Sequence, residues 1–128
     1  MNVPVASAIA DIRAAYPDAT VTATPDNDGG AYVIVEAVPL GSPYKQESTW
    51  IGFRIAFQYP YADVYPHFAR SDLERADGRP LGDGMSTGHN FAGRPAVQIS
   101  RRSNRLDPMT DTAALKLAKV LQWMIMHP

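Results

Sequence analysis

Two runs, "AYVIVEAVPL" at Ala31–Leu40 and "TWIGFRIAFQYP" at Thr49–Pro60, decide how this chain is built. Both are dense in β-branched and aromatic residues, the types that pack well on a pleated surface, and both read as strands. In the second, Trp50, Phe53, Ile55 and Phe57 dominate, while Arg54 and Gln58 put part of one face in water. A third run, "ATVTATP" at Ala19–Pro25, lies just upstream. Pro25-Asp26-Asn27-Asp28-Gly29-Gly30 separates it from the first, and these residue types favour a tight turn. A hairpin followed by another strand makes an antiparallel meander the simplest arrangement.

Helical spacing flanks this region. Val5, Ala6, Ile9, Ile12 and Tyr16 recur at steps of three and four until Pro17 stops them, which predicts an opening helix. At the other end, "DPMTDTAALKLAKVLQWMIMHP" predicts a second helix capped by Thr110 or Asp111. Leu115, Ala118, Leu121, Trp123 and Ile125 or Met126 would form its apolar face, and Lys116 and Lys119 would point to solvent. Between strands and helix, Pro60, Pro66, Pro80, Pro95 and five glycines leave room for one short strand, near His67–Leu73. The expected fold class is therefore α+β, a single domain over 1–128. It has an N-terminal helix, an antiparallel four-stranded meander, a long loop and a C-terminal helix packed on the sheet.

Composition narrows the function classes. The 128 residues suffice for one core, and a formal net charge of −1 gives no global field to draw nucleic acid or an anionic membrane. With no cysteine, thiol catalysis, disulfides and Cys-containing zinc sites are excluded for this chain. The N-terminal segment lacks the pattern of a secretory signal, since Asp11 and Arg13 interrupt it, and no run approaches a membrane span. A cytoplasmic protein with no metal and no cofactor is the expectation.

The residues that could carry chemistry lie in the second half. "FQYPYADVYPHF", Phe57–Phe68, alternates tyrosine and proline and reads as a rigid corner over the sheet. His67, His89 and His127 have no carboxylate at helical spacing, which speaks against zinc. His89 suits proton transfer at neutral pH or a hydrogen bond within its loop. Asn90 beside it could hold the loop backbone or donate to an oxyanion. Arg94, Arg101, Arg102 and Arg105 could grip a phosphate or carboxylate by paired hydrogen bonds, or form a solvated cluster. Ser100 and Ser103 are hydroxyl nucleophiles without a G-x-S-x-G elbow, and they would need a base.

In order, these segments resemble the ubiquitin-conjugating (E2, or UBC) fold, and in particular small bacterial E2-like proteins. "FQYPYADVYPHF" resembles that family's Tyr-Pro-rich turn, and "GHN" at Gly88–Asn90 its His-Pro-Asn motif without the proline. "GRPAVQIS" at Gly93–Ser100 is similar to the segment bearing the catalytic cysteine, with Ala96 at or near the nucleophile position. "NRLDPMTDTAALKLAKVLQWM" resembles the approach to the central helix. The resemblance implies a minimal UBC-like fold and a bacterial ubiquitin-like conjugation pathway, of the kind several operons link to phage defence. The partners it implies are an E1-like adenylating protein and a ubiquitin-like protein. Without the cysteine it implies a non-catalytic, pseudo-E2 role in which the arginines face a partner. Two alternatives stay open: Ala96 stands in for a cysteine of an active enzyme, or Ser100 or Ser103 forms an oxyester.

Overall fold

A computed structural model describes residues 1–126, so His127 lies outside the described residues. The elements are α1 (Val3–Ala15), β1 (Val21–Pro25), β2 (Ala31–Pro39), β3 (Ser48–Ile55), β4 (His67–Arg70), β5 (Met85–Phe91), β6 (Arg94–Ile99) and α2 (Ala113–Met126). The class is α+β, with an antiparallel sheet between an N-terminal and a C-terminal helix. The sheet has six strands, in the order β1-β2-β3-β4-β6-β5, and not the four expected.

The two additional strands lie in the stretch expected to be a long loop. Their turn is Ala92-Gly93, with φ of 50° and 80°, closed by the Phe91–Arg94 pair. Two central residues with positive φ make a type I′ turn, whose usual signal is Asn-Gly. Alanine in the first position conceals it. Gly88, at φ 83°, lies in a register shift between Ser86 and His89, so β5 carries a bulge that breaks its two-residue alternation. Because β4 pairs with β6 only from Ala96 to Ile99, Pro95 interrupts no ladder there.

Register explains the two faces of the sheet. Ala23, Val33, Phe53, His67, Ile99 and Met85 form one row across all six strands. Both helices cover this face, α1 through Val5, Ala8, Ile9 and Ile12, and α2 through Ala113, Leu117, Val120 and Met124. The buried face of α2 thus differs from the expected one: Leu115 is 50% exposed and Ile125 41%, whereas Lys116 is 9% exposed. The helix is apolar on most sides, so spacing alone does not choose its orientation. Its start differs as well. Thr112, and not Thr110 or Asp111, accepts the Leu115 amide at 3.1 Å, while the Tyr59 hydroxyl accepts the Ala113 amide at 3.0 Å.

Among the described residues no helix covers the other face; the β5–β6 hairpin packs on it. Beyond Arg70, where β4 ends, the hairpin tip folds back over β3 and β2. Phe91 lies on Gly52, where a Cβ would come within 2.5 Å of its ring. Its ring centroid is 5.0 Å from that of Phe68, 6.0 Å from Tyr32 and 6.4 Å from Trp50. Arg94 fastens the tip, with its guanidinium 5.2 Å above Trp50 and 2.6 Å from Glu36. Among the described residues no helix is long and apolar enough to cross a membrane.

Candidate binding groove

After β6 the chain runs irregularly through residues 100–112 before α2 begins. Ser100 N–H donates to the Gly84 carbonyl at 2.7 Å, and Asp63 of the Tyr-Pro corner secures the next turn. Its carboxylate accepts the Ser103 amide at 2.7 Å and the Ser103 hydroxyl at 2.8 Å. The Lys116 ammonium donates to both Asp63 oxygens at 3.1 and 3.0 Å and to Ser103 Oγ at 2.8 Å. Burial alone would raise the Asp63 pKa, but the hydrogen bonds from Ser103 and Lys116 outweigh it and hold the carboxyl below its ordinary value. One polar joint thus ties together the Tyr-Pro corner, the 100–112 segment and α2.

The joint shapes a groove of about 500 Å³ between residues 101–105 and α2. Arg101 lies 4.7 Å above the ring of Trp123 and Arg102 lies 4.1 Å above that of Tyr65. Arg105 and Lys119 complete the basic wall, with Asp111 opposite, 3.7 Å from the Lys119 ammonium. Of the other six arginines, Arg54, Arg70, Arg75, Arg79 and Arg94 each have a carboxylate, and Arg13 donates to the Val21 carbonyl at 3.1 Å. Among the described residues, no carboxylate lies within ion-pair distance of Arg101, Arg102 or Arg105.

The structure therefore divides the expected binding set. Arg101, Arg102 and Arg105 share the groove, while Arg94 belongs to the hairpin on the outer face of the sheet. His89 and Asn90 lie in β5, not in a loop, and the register pairs them with Ala96 and Pro95. Asn90 is exposed, and His89 Nε2 is 2.9 Å from Ser86 Oγ, so its partner is neither Ser100 nor Ser103. Ser100 accepts a hydrogen bond from Gln98 at 3.1 Å. Ala96 is 1% exposed and packs with Ile34 and Phe91, so a thiol in its place would have no path to a partner.

Sequence reasoning missed Asp63 and Lys116. Asp63 carries no signal, because its partner is 53 positions away. Lys116 did carry one: it sits in phase with Ala113 and Val120 on the buried stripe. His67 is the other surprise, fully buried among Phe53 and Ile99 with neither ring nitrogen hydrogen-bonded. Among the described residues no cluster of three or more His, Asp or Glu side chains is placed to hold a metal ion. No family model, no curated protein and no solved structure matches the chain.

Proposed function

We propose that this chain is a non-catalytic, E2-like component of a bacterial ubiquitin-like conjugation pathway, binding an E1-like enzyme or the ubiquitin-like modifier. The observation that carries the reading is the segment after β6. Where an active relative would carry its cysteine this chain has the buried Ala96, and in the segment just beyond it the chain offers guanidinium groups set on aromatic rings. The helix-first order, the antiparallel sheet and the Tyr-Pro corner packed beneath the groove support the same reading.

The serine alternative lacks its chemistry. Ser103 already donates its proton to Asp63, and the hydrogen bonds that stabilise that carboxylate also make it a poor base. Lys116 has no free lone pair, since its ammonium donates to three oxygens. The hollow beside this trio is about 20 Å³, room for about one water and not for an acyl group. The burial of Ala96 counts equally against an active enzyme with a cysteine there.

The proposal expects genes for an E1-like and a ubiquitin-like protein beside this one, and calorimetric titration with those two proteins, singly and together, should show binding to at least one. Absence of binding in every combination rejects the proposal. Incubation with the E1-like protein, ATP and modifier should leave no alkali-labile adduct. An adduct on Ser100 or Ser103 would instead make the protein an oxyester-forming transferase.

A further inference from the structure

We infer that the groove between residues 101–105 and α2 is a site for an extended acidic peptide, whose carboxylates are gripped by Arg101, Arg102 and Arg105. The inference deepens the binding role proposed above and rests on it for the biological source of the peptide.

The groove carries a local surplus of positive charge on exposed side chains that an outside anion would complement. Lys116 is neutralised by Asp63 and Lys119 faces Asp111, which leaves three guanidinium groups without a countercharge among the described residues. The chain as a whole has a formal net charge of −1, so this surplus is local and not part of a generally basic surface. Two of the groups are held in place before any ligand arrives. Trp123 and Tyr65 each cover one flat face of Arg101 and Arg102, whose N–H edges have no hydrogen-bond partner among the described residues, and such edges form paired hydrogen bonds with carboxylates. The segment bearing them is itself fixed, because Asp63 holds Ser103 by both its amide and its hydroxyl. Less side-chain entropy is then lost on binding.

The same geometry favours a peptide over a nucleic acid. Single-stranded nucleic acid binds basic grooves by stacking bases on open aromatic faces. Here Arg102 lies on Tyr65, and Trp123 meets both Arg101 and Gly84, where a Cβ would approach its ring to 3.0 Å. The groove, at about 500 Å³, is also larger than a single phosphate needs and suits several residues of extended chain.

The test measures fluorescence anisotropy with the intact protein and three labelled probes: a hexaglutamate peptide, a hexaglutamine peptide and a single-stranded hexanucleotide. Hexaglutamate should bind, hexaglutamine should not, and raising the salt concentration should weaken the complex. Arg101→Gln with Arg102→Gln should lower hexaglutamate affinity roughly tenfold or more, the scale of losing charge-assisted hydrogen bonds. Arg105→Glu, at an exposed position, should weaken it too, so the result does not depend on one variant folding; melting curves identify any variant that does not. Tighter binding of the hexanucleotide, no binding of hexaglutamate, or unchanged affinity in folded variants would overturn the inference. If the pathway proteins bind while hexaglutamate does not, the site assignment fails and the proposed function stands. The reverse result keeps the site and rejects the pathway.

Discussion

His67 occupies a position where every neighbour in its row is apolar and neither of its nitrogens has a partner among the described residues. Burial pushes its pKa down to about 3, the Lys116 charge pushes the same way, and Asp63 opposes them weakly. The imidazole is therefore neutral in the folded protein at ordinary pH, and two desolvated polar atoms remain as a cost. His67→Leu should stabilise the protein by about 1–3 kcal/mol at pH 7. The folded pKa lies below the unfolded value of about 6.5, so the unfolded chain takes the proton first as pH falls. Stability is thus lost from about pH 6.5 downward to about 3, at roughly 1.4 kcal/mol per unit. Urea denaturation should show the variant's advantage growing by about 2 kcal/mol between pH 7 and pH 5. Equal advantages at both values would contradict the assignment. A strand near His67–Leu73 was legible in the sequence, but the face on which His67 points was not, since four residues carry too little alternation.

At the scale of elements, the β5–β6 hairpin takes the place of a helix layer on the outer face of the sheet. Its clasp is steric: Gly52 has no side chain, and the ring of Phe91 fills the space. Phe91→Ala should cost about 3–5 kcal/mol by leaving the aromatic cluster of Trp50, Phe68 and Tyr32 without its centre. Gly52→Ala in the wild-type chain should cost about 1–3 kcal/mol through overpacking, and clearly less when Phe91 is already alanine, since only the Trp50 ring, 3.0 Å from the added Cβ, is then in the way. Additive losses in the four-member cycle would mean that the two residues do not touch. This element was the least legible one. A type I′ turn written Ala-Gly, a glycine bulge and a proline one residue after the turn together resemble loop sequence. The runs around Ile34 and Phe53 were legible because β-branched and aromatic residues are dense there. In α2 the existence of the helix was legible and its rotation was not, because nearly every side is apolar and only the buried Lys116 marks the inward face.

Across the whole molecule, the antiparallel α+β layout follows from local pattern, whereas the strand order follows from contacts between distant residues. The short β4 has β6 and not β5 beside it, a neighbour that no local signal announces. The candidate site depends on the same kind of distant contact. Arginines 101, 102 and 105 were legible as a cluster, but the joint of Asp63, Ser103 and Lys116 that fixes them brings together three separate segments. The joint also separates stability from binding. Lys116→Met alone should cost about 3 kcal/mol, because it leaves the Asp63 charge largely buried without its partner. Adding Asp63→Leu should recover most of that loss, since a well-packed apolar pair often replaces a buried ion pair at little cost. The Asp63 carboxyl lies below its ordinary value when folded, so its contribution is present above about pH 4 and is lost as pH falls. The double variant should lack that acid limb. It should nevertheless bind hexaglutamate less tightly than the wild type, because Ser103 has lost both anchors and the segment carrying Arg101 and Arg102 is no longer held. Recovered stability with unchanged peptide affinity would show that the joint supports the fold alone and that the arginines act without preorganisation.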